Sequence, residues 1–302
     1  MNFLQRKENN MIWEFIKSFI LGIVEGITEW LPVSSTGHLI LVDEFLQLKV
    51  SDNAEVNDSF ISMFNVVIQL GAIIAVVIIF WKKLFPFGRE NNAHPLNNKG
   101  FGSYIKMDIM QMWFKVAVAC LPAAVIGVLL DDWVDEHFYN PWIVAVALIV
   151  FGIAFIVVEN WNKNKKPKVN TINELTYKSA LIIGAFQLIA ALFPGTSRSG
   201  ATIVGALLIG ISRTVAAEFT FYLAVPVMFG ASLLKLVKYD GGFDGTQIGI
   251  LAVGMITAFI VSIFVINFLM DYIKKHDFKV FGWYRIVLGI LVIAYFGITS
   301  FI

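Results

Sequence analysis

Charged residues and cysteine are scarce in this chain. Only 15% of its 302 residues are charged, against about 25% in a soluble domain, and the formal net charge of +1 argues against a nucleic-acid partner. Cys120 is the only cysteine, which excludes an internal disulfide framework and a thiolate metal cluster. The first residues are polar and lack a small-residue cleavage site after a short apolar core, so we expect no cleavable signal peptide.

Apolar sequence dominates instead, with 58% hydrophobic residues and a mean hydropathy of +0.74. Length alone would allow about two soluble domains, but the composition predicts a single all-α polytopic membrane domain over 1–302, with a polar N-terminal extension at 1–10. Six runs are apolar and long enough to cross a bilayer: 60–81, 111–130, 142–159, 214–235, 247–270 and 284–301.

Two further apolar segments are interrupted by polar breaks. Residues 13–31 and 39–48 flank a break at Pro32–Gly37, and the segment 179–212 contains a break at Pro194–Gly200. Non-helical backbone at membrane depth is tolerated only where it is buried in protein or lines a wet cavity. The pattern predicts two re-entrant helical hairpins.

The distribution of Lys and Arg predicts the orientation of the chain. These residues concentrate in the loops 82–109, 160–178 and 271–283, whereas the alternate loops 49–59, 131–141 and 236–246 are nearly free of them. The positive-inside rule places the basic loops in the cytoplasm. Each half then holds one hairpin and three crossings. Because an odd number of crossings ends the first half on the opposite side of the membrane, the second half starts there in inverted orientation. We therefore expect two inverted repeats, at approximately 12–160 and 178–302.

The repeat is also visible in the spacing of single residues. Glu25 precedes Pro32 as Gln187 precedes Pro194, and the same offset of 162 pairs Glu29 with Ala191 and Ser34–Ser35 with Thr196–Ser197. Inverted repeats with broken helices place their site where the two breaks meet.

The first break, EGITEWLPVSSTGH at 25–38, carries two carboxylates that are four residues apart. Glu25 and Glu29 therefore share a helix face, where like charges repel, so we expect a metal ion, a cationic partner or a proton to compensate them. Mg²⁺ and Ca²⁺ both prefer such oxygen ligands. Ser35 and the other hydroxyls follow, and His38 is a candidate for proton transfer.

The second break carries Arg198, whose planar fork suits phosphate. Small residues and hydroxyls around it let the backbone approach an anion. Together the two breaks predict phosphate chemistry, with the following phosphate-binding candidates: Ser34, Thr36, Gly195, Thr196, Ser197, Ser199, Gly200 and Thr202.

These motifs support a resemblance to a known family. EGITEWLPVSSTGH at 25–38 and PGTSRSGAT at 194–202 resemble the two signature regions of the undecaprenyl-diphosphatases of the bacitracin-resistance type, and VVIQLGA at 66–72 and EFTFYLAVPVMFGAS at 218–232 are similar too. The resemblance implies a hydrolase of the bacterial inner membrane that converts undecaprenyl diphosphate to the monophosphate carrier lipid of peptidoglycan synthesis and gives bacitracin resistance. It also implies an active site open to the outer face and a required divalent cation.

Carried over by position, the resemblance assigns roles to five residues. Glu25 and Glu29 match the acidic pair, Ser35 the nucleophilic or phosphate-binding serine, His38 the histidine, and Arg198 the essential arginine. The implied partners are a polyprenyl diphosphate and membrane lipid. The sequence leaves open the choice of Mg²⁺ or Ca²⁺, the lipid chain length, and the oligomeric state, with a homodimer as one alternative.

Two mechanistic and two functional alternatives remain at this stage. Either Ser35 or a water attacks, and either Glu29 or His38 takes the proton. The main rival function is an inverted-repeat secondary transporter or a flippase of polyprenyl phosphate, in which the acidic pair would bind a coupling ion. An acid-phosphatase-like lipid phosphatase is disfavoured, because it needs a histidine six residues after its arginine and Val204 stands there.

Overall fold

Helices make up nearly all of the regular structure of this chain. The computed structural model describes residues 3–89, 93–97, 99–239 and 242–300, and over those ranges it contains α-helices, short 3-10 turns and no strand. The helices are α1 (Phe3–Thr28), α2 (Ser35–Leu46), α3 (Ala54–Ile79), α4 (Trp81–Leu84), α5 (Met107–Phe138), α6 (Pro141–Asn162), α7 (Tyr177–Leu192), α8 (Arg198–Leu208), α9 (Arg213–Lys238), α10 (Gly245–Ile273) and α11 (Lys279–Thr299).

Six of these helices are long and apolar enough to cross a membrane: α3, α5 over Met107–Ile126, α6, α9, α10 and α11. They correspond to the six predicted runs, so the prediction of an all-α protein with six membrane helices is confirmed. The predicted acidic loop 131–141 is wrong, because α5 continues to Phe138. No glycine or proline follows Leu129 until Pro141, and only the cap formed by Asn140 starts the next helix.

Both broken helices are present, but the breaks are shorter than predicted. Helix α2 already begins at Ser35 and α8 at Arg198, so the last three residues of each predicted break form a first helical turn. Ser34 and Ser197 are the N-caps, and their side chains accept hydrogen bonds from the amides three residues later at 3.3 and 3.2 Å. In the described part of the chain, these two serines are also the only residues other than glycine with a positive φ, 74° and 69°.

The equivalence of the two caps corrects the predicted register. Ser34 corresponds to Ser197 at an offset of 163, not to Thr196 at 162. The second break holds one more residue between its proline and its cap, and Gly195 there adopts a φ of 90°. Ser35 therefore occupies the same place in α2 that Arg198 occupies in α8.

The packing of the helices is compatible with two inverted repeats. Helix α1 packs along α10 and α7 packs along α5, while α3 contacts α9 and α6 contacts α11. In repeat order α7 is the counterpart of α1 and α10 the counterpart of α5, so the first two contacts are equivalent in the two halves. The other two contacts join α3 to its counterpart α9 and α6 to its counterpart α11. The re-entrant paths and the repeat boundaries remain predictions, and residues 3–10 of the predicted extension form the start of α1.

Helices α6 and α11 cross at two glycines. A Cβ atom on Gly152 would lie 2.7 Å from the carbonyl oxygen of Gly282, and a Cβ on Gly282 would lie 2.7 Å from that of Gly152. The two backbones therefore touch, as in small-residue helix crossings. This close approach brings the first two turns of α11 against α6 and the two breaks.

Candidate active site

The two breaks meet at the carboxylate of Glu29, which follows the last residue of α1. Its Oε1 accepts a hydrogen bond from Nη2 of Arg198 at 2.9 Å, and its Oε2 accepts one from Oγ of Ser35 at 3.2 Å. The Glu29 and Arg198 side chains are only 10% and 14% exposed. The structure thus brings together three of the predicted catalytic residues, with the first residues of α2 and α8 on one carboxylate.

Arg198 is held from behind by α9. Its Nη1 donates to the carbonyl oxygen of Thr220 at 3.0 Å. The hydroxyl of Thr202 donates to the Arg198 carbonyl at 2.9 Å and lies 2.8 Å from the Thr220 hydroxyl. Thr202 therefore supports the arginine, and its predicted contact with phosphate stays a prediction. The guanidinium keeps further N–H donors for an anion.

The start of each helix offers backbone donors to an anion. The amides of Ser35 and Thr36 in α2, and of Arg198 and Ser199 in α8, make no hydrogen bond within the described residues. Each serine cap satisfies only the amide of the third helical residue. Unsatisfied amides at a helix N-terminus, together with the helix dipole, bind phosphate groups readily.

Glu25 lies one helical turn before Glu29 and is fully buried. Neither of its carboxylate oxygens has a hydrogen-bond partner within the described part of the chain. An unpaired buried charge costs several kcal/mol, so this carboxyl group requires a proton or a cation. Its pseudo-equivalent Gln187 is likewise buried, with both amide atoms lacking partners among the described residues.

The acidic pair fits a divalent cation. The described residues contain no cluster of three or more His, Cys, Asp or Glu side chains that could hold a metal by themselves. Mg²⁺ is commonly bound by one or two carboxylates, with water and substrate phosphate completing its shell. Glu25 and Glu29 would supply the carboxylates for such a site.

His38 bonds away from the Glu29 carboxylate. Its Nδ1 lies 2.7 Å from the carbonyl oxygen of Ser34, so Nδ1 carries a hydrogen. Its Nε2 lies 2.7 Å from the hydroxyl of Tyr284, and the two rings are stacked with centroids 5.6 Å apart. No hydrogen bond joins His38 to Ser35 in the described structure. A proton-transfer role for His38 therefore stays a prediction, and Glu29 is the acceptor beside Ser35.

The other predicted phosphate-binding residues differ in the contacts that they already make within the protein. The Thr196 hydroxyl is buried without a partner in the described residues, which leaves it available to a ligand. Ser199 donates to the Glu29 carbonyl at 3.3 Å. Gly195 and Gly200 are required for packing, because an added Cβ would lie 2.6 Å from the Val144 carbonyl and from Arg285 respectively.

Arg285 is a component of the site that the motif analysis did not identify. It is fully buried, and its Nη2 donates to the carbonyls of Gly195 and Thr196 at 3.0 and 2.6 Å. Longer contacts reach Pro32 at 3.4 Å and Leu148 at 3.5 Å. Arg285 thus ties both breaks to α11, and no carboxylate pairs with it in the described residues.

Sequence reasoning could have found Arg285. It is the only charged residue in the predicted span 284–301, and a charge inside a membrane helix is a functional candidate by default. Tyr284 beside it carries no comparable signal, because a tyrosine near a helix end is common at membrane interfaces.

Comparison with known proteins identifies the family. The family described as bacitracin resistance protein BacA matches residues 18–291. The chain belongs to this family. The match to the BacA family includes both breaks and Arg285.

Several proteins named undecaprenyl-diphosphatase are similar to this chain over almost its whole length. An undecaprenyl-diphosphatase of Desulfitobacterium hafniense is 58% identical over 289 residues, covering 96% of this chain and 98% of that protein. Undecaprenyl-diphosphatase 1 of Clostridium acetobutylicum is 58% identical, covering 95% of this chain and 98% of its own. An undecaprenyl-diphosphatase of Acetivibrio thermocellus is 59% identical, covering 94% and 98%.

Proposed function

We propose that this BacA-family protein is a membrane phosphatase that hydrolyses undecaprenyl diphosphate to undecaprenyl phosphate and inorganic phosphate. The observation that carries the proposal is the single carboxylate of Glu29, bound at once by the Ser35 hydroxyl and the Arg198 guanidinium. A nucleophile, a base and a cation stand together beside two helix N-termini, as phosphoryl transfer requires. The names of the similar proteins support the same substrate.

The geometry supports Ser35 as the nucleophile and Glu29 as its base. Oγ of Ser35 attacks the terminal phosphorus, its proton passes to Oε2 of Glu29, and the anhydride P–O bond breaks to release undecaprenyl phosphate. Water then hydrolyses the phosphoserine and inorganic phosphate leaves. Arg198 and the free amides of α2 and α8 stabilise the charge on the transferred group.

A divalent cation, Mg²⁺ or Ca²⁺, is proposed at Glu25 and Glu29. When bound, it would compensate the acidic pair and neutralise part of the diphosphate charge. The protein's own contribution is to hold the two carboxylates one turn apart at the end of α1, with Glu25 shielded from bulk water.

The proposed location is the bacterial plasma membrane, with the active site open to the outer face. The basic connections between α4 and α5, α6 and α7, and α10 and α11 support a cytoplasmic position for those ends. The product, undecaprenyl phosphate, is the carrier lipid that peptidoglycan synthesis consumes, and its recycling would give resistance to bacitracin.

The test is phosphate release by the purified protein in detergent, with a C55 diphosphate as substrate. A transporter or flippase has no gradient to use there, so absence of release with the cation supplied would contradict the proposal. We expect release to stop on chelation and to fall strongly in the alanine variants of Glu25, Glu29, Ser35, His38 and Arg198.

The Ser35→Ala variant separates the two nucleophiles. If Ser35 attacks, its alanine variant loses turnover, and a phosphoserine can be trapped in the wild-type protein by rapid acid quench and detected by mass spectrometry. Residual turnover within about a hundredfold, the effect of losing one catalytic hydrogen bond, together with no phosphoserine, would assign the attack to water. Ser59→Ala, at an exposed serine of α3, is the matched control.

A further inference from the structure

A cavity whose lining contains no residue of the two breaks lies at the end of α6, the end of α8 and the start of α9. Its volume is about 840 Å³, within the usual range for ligand sites. Among its described lining residues, Glu159 is the only carboxylate. The cationic residues that line it are Lys163, Lys165, Lys166, Lys168, Arg213 and Lys274.

Two of these cations are already paired. Nε of Arg213 lies 2.9 and 3.1 Å from the two oxygens of Glu159, which also accepts from the Phe278 amide at 2.9 Å. Lys274 pairs with Asp271 at 2.8 Å. The other four lysines are exposed and have no ion pair within the described residues. The cavity therefore keeps an excess of positive charge.

The segment that carries these lysines is held by hydrogen bonds. Nδ2 of Asn162 donates to the Leu207 carbonyl at 2.8 Å, the Lys168 amide to the Gly210 carbonyl at 2.7 Å, and the Ser212 amide to the Val169 carbonyl at 2.9 Å. The backbone of the segment therefore follows a fixed path over the end of α8, and the four lysine side chains extend from a backbone that is already ordered before an anion binds.

An exposed apolar strip leads along α6 to this cavity. Ile153, Val157 and Trp161 are four residues apart and 49%, 56% and 65% exposed, so they share one outward face of a membrane helix. Trp161 lines the cavity and lies under Nζ of Lys165, 3.7 Å from its ring centre. Tryptophan is typical of the membrane interface. A free anion would use only the lysines, whereas an amphiphile would use both features.

We propose that this cavity binds the phosphate head group of an anionic phospholipid whose acyl chain lies along the α6 strip. Basic pockets at the cytoplasmic ends of membrane helices suit such head groups. The four unpaired lysines bind the phosphate diester, and Ile153, Val157 and Trp161 contact the chain. The inference is independent of the phosphatase activity.

The test is retention of lipid by the full-length protein in detergent, measured by native mass spectrometry without turnover. The probes are phosphatidylglycerol and phosphatidylcholine with identical acyl chains. We expect preferential retention of phosphatidylglycerol, weakened about fivefold for each lysine removed in Lys166→Gln/Lys168→Gln. Lys178→Gln/Lys275→Gln, at exposed lysines outside the cavity lining with the same net charge change, is the control and should bind normally.

Three outcomes would overturn the proposal. Equal retention of the two lipids would show that charge is not read, and equal weakening in the control pair would show a general surface effect. The third arm adds inorganic phosphate alone. If millimolar phosphate displaces phosphatidylglycerol, and Val157→Ser/Trp161→Ser leaves lipid retention unchanged, the cavity is a site for a free anion.

Discussion

Replacing Arg198 by lysine tests the geometry of the site while keeping its charge. The guanidinium bonds two groups from two different nitrogens, Glu29 at 2.9 Å and the Thr220 carbonyl at 3.0 Å. An ammonium is a single point on a shorter side chain and cannot reproduce both directions. We expect the Arg198→Lys variant to fold, because its ammonium can still pair with Glu29, but to position the transferred phosphate poorly.

The expected magnitude follows from the two bonds that a fork makes and a point charge does not. A hydrogen bond to a charged group contributes about 1.5–3 kcal/mol. Losing the anchor on Thr220 and one arm of the fork on phosphate therefore removes about 3–6 kcal/mol of transition-state stabilisation. At about 1.36 kcal/mol per factor of ten, kcat/KM should fall by roughly two to four powers of ten.

The assay is phosphate release from undecaprenyl diphosphate in detergent over a range of substrate concentrations, with thermal unfolding measured on the same samples. Arg89→Lys, at an exposed arginine in the loop after α4, makes the same exchange away from the site and should match the wild type. If folded Arg198→Lys keeps kcat/KM within tenfold of the wild type, the fork has no catalytic role and the reasoning fails.

Two further predictions concern the buried groups around this site. Arg285→Met should still fold, because the lost carbonyl bonds are offset by removal of an uncompensated buried charge. We nevertheless expect phosphate release to be at least about tenfold slower, since the breaks lose their common anchor. Unchanged release together with a normal unfolding temperature would show that helix packing alone holds the breaks. Glu25→Gln keeps the shape and removes the charge, so the concentration of Mg²⁺ or Ca²⁺ needed for half-activation after chelation should rise by about tenfold or more; an unchanged midpoint would place the cation elsewhere.

Much of the membrane architecture could be predicted, because its signals lie within single segments. Long apolar runs with at most two charged residues each identify six spans, and Pro32 and Pro194 identify the breaks. The end of α5 was not predictable from hydropathy, since that property reports the membrane boundary and not the end of a helix. The register shift between the breaks depends on the positive φ of two serine caps, which composition does not reveal.

Within the site, the sequence predicted which groups meet but not which bonds they make. The meeting of Glu29 with Arg198, 169 residues away, follows from the apposition of two breaks. The choice of Glu29 over His38 as the neighbour of Ser35 depends on differences of a few ångströms that no spacing encodes. Thr220 accepts the hydrogen bond of Arg198 with its backbone carbonyl, which every residue has, so no residue type in the sequence indicates this contact.

The matching positions of Ser35 and Arg198 carry one last consequence. Two copies of the first break would place two hydroxyls beside Glu29 and no guanidinium, and two copies of the second would place two guanidiniums beside Ala191 and no carboxylate. Because the two breaks differ in sequence, the same geometric place holds a hydroxyl on one flank of Glu29 and a guanidinium on the other. The chemical asymmetry around this carboxylate thus depends on divergence between the two halves of the chain.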